Sequence, residues 1–390
     1  MKRSFRKILV LSVLAAGLAV AIPLAVTQGT NRASGAPITT VGSSAITTVS
    51  LPSGYQRPAS LAAASDGTAW FWSNSSTKST LFHWNPNTGT LNSVDLGDPS
   101  SLGLITGIEN AIAIDSAGRV WVGANQSLVS YNPQDGTISH LILPASPTDS
   151  QLTAIEPAQL ANAQSITAMS ADADGDVAIA SQNSNVVQVL QTASNGFTQI
   201  ALPVGTEVTD LAYDVDGSLG AAISSVSGGT VTGSVLIVHS NSSQTSVTGV
   251  STQHLAATPT GFLASDAQTL VSESGTTQPV PTSAGVSSLS SDAASVGGFS
   301  SQLSDGKIAY TSPSGLVITD SNSAELVQLP QYSCTTGGGM RNFGSTSSTT
   351  STTLAAHIEC SEQASSLVGE NSGIFFVLTA PTSTVGFLHA

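Results

Sequence analysis

The sequence is poor in charged residues, since Asp, Glu, Lys and Arg together make up 9% of its 390 residues. So little charge is typical neither of a long disordered tail nor of a helical enzyme with a salt-bridged surface. Basic residues are the scarcer kind: 10 Lys and Arg against 24 Asp and Glu give a formal net charge of -14. An acidic surface repels phosphate backbones, and no basic patch with interleaved aromatic residues offsets this. We therefore expect no nucleic-acid partner.

Several catalytic and cofactor motifs are also missing from the sequence. It contains no HExxH motif, no Cys/His zinc cluster and no serine nucleophile elbow. Asp172 to Asp176 resembles the start of a calcium loop, but the glutamate that would complete the loop is missing, and Asp-Gly recurs at other hairpin turns. We expect no resident cofactor and no metal site, with a divalent metal as the alternative.

The N-terminus has the features of an export segment. A basic stretch from Lys2 to Lys7 precedes the apolar run Ile8 to Val26, which contains an A-x-A sequence at Ala19 to Ala21. Residues 1–26 are therefore predicted to be a cleaved signal peptide or, read without cleavage, a signal-anchor transmembrane helix. In both cases the rest of the chain lies outside the cytoplasm, secreted or anchored to the membrane. Residues 27–44 are small and polar and are predicted to form a tether.

A pattern of short strands and turns is repeated from residue 45 to the C-terminus. Its clearest copy, Ile112 to Pro144, has four short apolar runs with a turn after each. A glycine of the first hairpin turn recurs at about the spacing of a four-stranded blade, at Gly67, Gly118, Gly175, Gly217, Gly261 and Gly306. The sequence predicts an all-β fold, a single seven-bladed β-propeller of four-stranded antiparallel blades over residues 45–390. Six or eight blades are the alternatives because the fifth unit is weak.

The first strand of each unit shows a large residue followed by a small one. This alternation predicts an inner strand that fills the gap between blades with one face and approaches the crowded axis with the other. The pairs are Leu61-Ala62, Ile112-Ala113, Met169-Ser170, Leu211-Ala212 and Leu255-Ala256. Trp70 and Trp121 follow on the second strands and are expected to pack between blades.

The segment Ile46 to Pro52 resembles the outer strands of the other units but comes before any complete blade. We expect it to join the last blade and to close the ring, which protects two sheet edges. Its expected partners are Leu354–Ile358, Ser366–Val368 and Ile374–Leu378, and Val385–Leu388 competes for the outer place.

The two cysteines, Cys334 and Cys360, are an even pair in a chain predicted to be exported. Such a pair favours a disulfide over two buried thiols. A bond between them would staple the closure of the ring.

Candidate functional residues come from the positions that precede the inner strands near the axis. Asp210 and His254 stand seven residues before Gly217 and Gly261, so they are expected in equivalent places of adjacent blades. A histidine with a carboxylate partner is a usable general base, and this pair is the catalytic candidate; the alternative is a polar rim residue beside a solvated acid. The neighbouring polar residues expected to contact a ligand are Glu109, Asn110, Glu207, Thr209 and Gln253.

The units Leu61 to Leu96 and Ile112 to Pro144 resemble the repeats of virginiamycin B lyase (streptogramin lyase)-like propellers. The shared features are an inner strand, a turn with Gly, a Trp, the turn Asn-Pro-x-x-Gly and, in the second unit, a final Leu-Pro. The resemblance implies a seven-bladed ring. It also implies metal-dependent catalysis by a His and a Glu around the axis, but the Glu that follows the Trp in that family has no counterpart here.

These observations favour an exported, monomeric propeller that binds a small molecule or a cell-envelope partner through one face without catalysis. A metal-dependent lyase or lactonase is the alternative, and a purely structural surface protein is a third. Whether the protein is an enzyme stays open from the sequence. Membrane contact is expected only through the N-terminal segment.

Overall fold

A computed structural model describes residues 38–41, 45–58, 60–98, 112–124, 127–144, 165–227, 230–265, 268–280, 300–303, 305–312, 315–320, 323–329, 331–334, 358–361, 364–370, 373–378 and 384–389. These residues form β-strands and turns. Among them no helix is long and apolar enough to cross a membrane. The export segment predicted at residues 1–26 lies outside this range, and so does Glu109-Asn110.

The strands form seven blades, each with four antiparallel strands that we name inner, second, third and outer. One further strand extends the sheet of blade 6, and a separate two-stranded sheet lies outside the blades. Blade 1 consists of Leu61–Ala63, Ala69–Asn74, Ser79–Asn85 and Thr90–Gly97. Blade 2 consists of Ile112–Ile114, Val120–Ala124, Ser127–Tyr131 and Ile138–Ile142. Blade 3 consists of Ile166–Ala171, Val177–Ser181, Val186–Gln191 and Gly196–Ala201. Blade 4 consists of Thr206–Tyr213, Leu219–Ser227, Thr230–Val238 and Gln244–Thr248. Blade 5 consists of Leu255–Thr258, Gly261–Ala264, Thr269–Ser272 and Thr277–Pro279. Blade 6 consists of Ser300–Gln302, Ile308–Ser312, Gly315–Thr319 and Ala324–Val327.

The ring is closed because each inner strand contacts the inner strands of both neighbouring blades, including blade 7 against blade 1. This arrangement confirms the predicted seven-bladed propeller. We call the face where the inner strands begin the upper face, and the face where they turn into the second strands the lower face. The turn glycines lie on the lower face, where Gly67, Gly118 and Gly217 have φ of 82°, 79° and 77°. Gly261 differs because it begins the second strand of blade 5, after a tighter hairpin.

Blade 7 is the composite blade that closes the ring. From the axis outward its strands are Ala364–Glu370, Gly373–Leu378, Thr384–His389 and the N-terminal strand Ile46–Ser50. The N-terminal strand is antiparallel to Thr384–His389, with Val49 opposite Val385. The predicted closure is thus confirmed, and the competition for the outer place is resolved because the C-terminal segment takes the third place instead.

Two details of the closing region differ from expectation. Ile358–Ser361, expected to end an inner strand of blade 7, pairs instead with Gln331–Cys334 in a separate two-stranded sheet. Ile38–Val41, within the segment predicted to be a tether, forms a strand parallel to the outer strand of blade 6. The N-terminal part of the chain therefore contacts the two last blades of the ring in succession.

The two cysteines lie on the separate two-stranded sheet. Cys334 is opposite Ile358, and Cys360 is opposite Tyr332. The cysteines are thus offset diagonally, and the spacing of about 7–8 Å between such positions is above the range usual for the Cα atoms of a disulfide. The disulfide stays a prediction.

The hydrophobic core is divided into seven seams, one between each pair of adjacent blades. Each seam contains buried side chains from both blades, and the largest fully buried side chains of the ring as a whole are mostly aromatic. Trp70 and Trp121 pack against the following blade, as predicted. Residues of adjacent blades that belong to the same buried cluster include Trp70 and Val129, Trp121 and Ile166, Val187 and Leu211, Val235 and Phe262, Leu263 and Ile308, Leu316 and Phe376, and Phe375 and Trp84.

Gly220 shows how the seams compensate for changes in the repeat. It lies opposite Ala212, as Trp70 lies opposite Ala62 in blade 1. A Cβ atom on Gly220 would lie 2.6 Å from two ring carbons of Phe262 and 2.8 Å from a methyl carbon of Leu255. Phe262 of blade 5 therefore fills the space that a tryptophan of the same blade fills elsewhere.

We predict that Gly220→Ala lowers the free energy of unfolding by about 1–3 kcal/mol, because the added methyl group overpacks the seam between blades 4 and 5. Urea unfolding of the single variants and of the double variant with Phe262→Leu measures the coupling between the two sites. The double variant should be more stable than the sum of the two single changes allows. Strictly additive effects would contradict this packing.

We further predict that a chain beginning at Leu51 is less stable than one beginning at Ala45 by at least about 2 kcal/mol. The shorter chain loses the outer strand of blade 7 together with the partly buried Ile46 and Val49. Thermal and urea unfolding of the two chains check this. The chain beginning at Ala45 is the matched control because both chains lack residues 1–44 and only the shorter one lacks the outer strand of blade 7. Equal stability would show that the N-terminal strand does not hold the ring closed.

Candidate functional site

An axial channel of about 330 Å³ runs through the ring. All seven inner strands contribute to its wall, and the contributing side chains are mostly small. Ala62, Ala113, Ser170, Ala212, Ala256, Ser301 and Val368 line it in ring order. Because small side chains leave the backbone accessible, the channel wall has many polar groups despite its alanines.

Along the edges that face the axis, the inner strands have N–H groups that no neighbouring strand accepts. Side chains of the preceding blade accept hydrogen bonds from some of these N–H groups. The Ser170 hydroxyl oxygen accepts the N–H of Tyr213 at 3.0 Å, from blade 3 to blade 4. The Ser301 hydroxyl oxygen accepts the N–H of Gly369 at 2.9 Å, from blade 6 to blade 7. A serine at the small-residue position therefore links two neighbouring blades at the axis.

Asp210 performs the same task with a carboxylate. One oxygen accepts the N–H of Leu211 in its own blade, and the other accepts the N–H of Leu255 in blade 5, both at 2.8 Å. The residue is 3% exposed. A buried carboxylate that accepts backbone N–H groups is stabilised in its ionised form. Asp210 thus joins blades 4 and 5 at the axis.

His254 directly precedes Leu255, whose N–H donates to Asp210, so His254 lies next to the link between blades 4 and 5. It is half-buried and lines the channel together with Asp210 and Ser265. Its backbone is held on both sides: the N–H donates to the Thr252 hydroxyl at 3.3 Å, and the carbonyl accepts the N–H of Ser265 at 3.0 Å. The imidazole therefore stands on a backbone segment of defined geometry.

The other predicted contact residues lie in different surroundings. Glu207 faces blade 3, where its carboxylate accepts the N–H of Asn183 at 3.2 Å. Thr209 occupies a β-bulge of the inner strand and donates its hydroxyl to the carbonyl of Ala222 at 3.3 Å. Gln253 is exposed beside His254. Glu109 and Asn110 lie outside the described residues, so their role stays a prediction.

A divalent metal, which the resemblance to the lyases implies, does not fit the described residues of this site. Both carboxylate oxygens of Asp210 accept backbone N–H groups, and Glu207 is directed toward blade 3. Within the described residues no group of three or more His, Cys, Asp or Glu side chains is arranged to hold a metal ion. The described residues of the channel therefore do not by themselves form a metal site.

Sequence reasoning missed several residues of the channel wall, notably Ser301, Tyr213 and Gln302. The signal for Ser301 was available, since it occupies the same small-residue position as Ser170.

Tyr213 has a raised pKa, chiefly because of burial and also because of the nearby carboxylates of Asp172 and Asp176. Its hydroxyl therefore stays protonated at neutral pH.

The fold is similar to solved structures of other propellers. A streptogramin B lyase structure matches with a TM-score of 0.56 at 12% identity, covering 88% of this chain and 96% of that one. Virginiamycin B lyase from Staphylococcus aureus matches with a TM-score of 0.50 at 12% identity, covering 88% and 99%. The WD40 repeats of RRP9 match with a TM-score of 0.57 at 10% identity, covering 91% and 98%. No protein-family model matches the sequence, and the search of characterised proteins finds no match either.

Identities this low show a shared fold and nothing about activity. The predicted likeness to the streptogramin lyase propellers is confirmed at the level of the fold.

We predict that Asp210→Ala lowers the free energy of unfolding by about 2–4 kcal/mol, because it leaves two buried N–H groups without their acceptor. Asp210→Asn, which keeps one acceptor oxygen, should cost less. Unfolding curves and the hydrogen-exchange rate of the Leu255 amide measure the effect, with exposed Asp135→Ala as the control. An unchanged exchange rate in Asp210→Ala would refute the link between blades 4 and 5.

Proposed function

We propose that this protein binds a small, polar, uncharged ligand at the upper-face end of the axial channel and does not transform it. The observation that carries this proposal is the state of Asp210. Its carboxylate is buried, and both oxygens are engaged by backbone N–H groups of two blades. A carboxylate that acts as the general base itself must reach the proton that it removes, and the buried Asp210 is poorly placed for this. Its role in linking two blades therefore supports binding over catalysis by this residue.

The size and chemistry of the channel support a small ligand. A volume of about 330 Å³ lies at the lower end of the range typical of small-molecule pockets. The wall offers the Ser265 hydroxyl, the Gln302 amide and the His254 imidazole beside backbone groups. Because the carboxylate oxygens of Asp210 already accept backbone N–H groups, a neutral molecule with several hydroxyl groups suits this wall best.

The connections between blades support the upper face as the recognition face. Each connection from an outer strand to the next inner strand ends on that face. Several are long, and the sequence places them at residues 98–111, 143–165, 280–299 and 328–363. Long connections on a rigid scaffold are where binding proteins commonly vary.

The cellular setting of this proposal is outside the cytoplasm. Its support is the sequence of residues 1–26, whose basic stretch and apolar run are typical of export. The ligand is then a soluble small molecule or part of a cell-envelope component. A monomer suffices for this function because one ring contains the complete channel.

A metal-dependent lyase or lactonase is the second candidate. It is favoured by the likeness to a streptogramin B lyase structure and by the position of His254 in the channel wall. This candidate requires turnover that depends on a divalent ion, whereas the binding proposal requires none.

We predict that His254→Ala weakens binding of the ligand at least tenfold and changes the free energy of unfolding little, because the half-buried imidazole lines the channel. The measurement is calorimetric titration with a panel of monosaccharides and small polyols. His140→Ala is the matched control, since His140 is exposed on the outer strand of blade 2. Equal affinity of His254→Ala and the unmodified protein would contradict a site at the channel.

The same preparations, with and without Mn²⁺ or Mg²⁺, are assayed for opening of cyclic esters and lactones. Metal-dependent turnover that is lost in His254→Ala would replace the binding proposal with the enzyme.

A further inference from the structure

The N-terminal part of the chain contains the same tetrapeptide twice. Ile38–Val41 and Ile46–Val49 both have the sequence Ile-Thr-Thr-Val, and they begin eight residues apart. We call them the first copy and the second copy. The function proposed above does not use this duplication.

Each copy is paired with a different sheet edge. The first copy is parallel to the outer strand of blade 6, with Val41 opposite Val327. The second copy is antiparallel to the third strand of blade 7, with Val49 opposite Val385. The same four residues therefore serve in two pairings of opposite direction, one of which completes the blade that closes the ring.

The outer place of blade 7 requires a particular side-chain pattern. Ile46 packs against the seam between blades 6 and 7, and Val49 packs against the seam between blades 7 and 1. Residues three positions apart in a strand point to opposite faces, so one apolar side chain reaches each seam. Between them Thr47 is half-buried and Thr48 is exposed. The first copy has the same residue types in the same order.

This identity affects the register of the closing strand. Register is specified mainly by which side chains face the core, and a shift of one residue would turn each side chain of the second copy to the opposite face. A shift of eight residues instead places identical side chains at all four positions. The side-chain pattern of the tetrapeptide therefore does not distinguish the two copies at the edge of blade 7.

The flanking residues favour the second copy without excluding the first. Ala45 packs against the seam between blades 6 and 7, and the Ser50 hydroxyl oxygen lies 3.4 Å from that of Thr384. After a shift of eight residues these two places would belong to Pro37 and Gly42. A proline is tolerated where a strand begins, and a glycine weakens a strand chiefly when it lies in the interior.

The chain is long enough for the first copy to reach blade 7. In the structure Ser50 alone joins the second copy to Leu51, which is buried in the seam between blades 7 and 1. With the first copy in that place, residues 42–50 would form a loop of nine residues before Leu51. The entropic cost of closing a loop rises only with the logarithm of its length, so Leu51 can keep its contacts.

The observed arrangement is the favoured one because two copies cover two sheet edges. Moving the first copy would cover the edge of blade 7 and uncover the edge of blade 6. The pairing given up is parallel, which is slightly weaker per residue, and it adds a fifth strand to a blade that is complete without it. The pairing gained is antiparallel and closes the ring. Displacement of the second copy is therefore the condition under which the exchange is favourable.

We propose that the two copies are alternative outer strands of blade 7, and that the first copy leaves blade 6 for blade 7 when the second copy is displaced. The first copy is then a reserve strand that keeps the ring closed. Its departure exposes the outer edge of blade 6.

The test is amide hydrogen exchange of the full-length protein at two places, Thr384–His389 of blade 7 and Ala324–Val327 of blade 6. The displacing change is Ile46→Ser combined with Val49→Ser, which removes both apolar side chains of the second copy. We expect exchange in blade 7 to stay within about threefold of the unmodified protein. Exchange in blade 6 should become at least about tenfold faster, because the first copy has left that edge.

The matched control is the same pair of changes in the first copy, Ile38→Ser with Val41→Ser. Blade 6 should exchange faster in this variant and blade 7 should not, because the second copy stays in place. With all four changes combined, blade 7 should exchange at least about tenfold faster, since no intact copy remains. Val177–Ser181 of blade 3 lies on the far side of the ring and reports whether each variant is folded.

The proposal is overturned if the second-copy variant loses protection in blade 7, because the first copy would then fail to replace the second. It is also overturned if this variant keeps protection in blade 6, since each copy would then be fixed to its own edge. A fourfold variant that does not fold, beside a second-copy variant that folds with the expected exchange pattern, supports the proposal. In that case the first copy is what holds the ring closed.

Discussion

Packing between neighbouring blades is the interaction on which this structure depends. No blade buries its apolar side chains alone, because each is a single twisted sheet with two faces. The seven seams share this task, and a change of size in one blade is matched in the next, as Phe262 fills the space above Gly220. The ring must therefore close, and the seam between Phe375 and Trp84 joins the last blade to the first.

A second constraint arises at the axis, where seven inner strands expose their free edges. Ser170, Ser301 and Asp210 satisfy N–H groups on these edges from the blade before. This use of Asp210 affects the interpretation of the whole site. In the folded protein, Asp210, which the sequence suggests as half of a catalytic pair, also links two blades by accepting their N–H groups.

The predicted elements differ in how well local sequence determined them. The turn glycines and the alternation of large and small residues placed the inner strands of the first five blades correctly, since a period of two and a left-handed turn are local properties. The C-terminal region was harder. Both Ile358–Ser361 and Thr384–His389 have the character of strands, and pattern alone does not say which of them pairs within blade 7. Likewise, nothing local marks Ile38–Val41 as a partner of blade 6.

Spacing along the chain was enough to predict the repeat, the number of blades and the closure by an N-terminal strand. It also predicted that Asp210 and His254 lie at equivalent places of adjacent blades. Only the tertiary structure decided what the side chains do. Several side-chain contacts depend on neighbouring blades or strands. Asp210 accepts the N–H groups of Leu211 and Leu255, and Glu207 accepts the N–H of Asn183. A chain of hydrogen bonds likewise joins Asp66 to His83 through Thr68. A repeat pattern specifies where each residue lies within its blade, but the rotation between blades and the competition for unpaired N–H groups determine which atom reaches which partner.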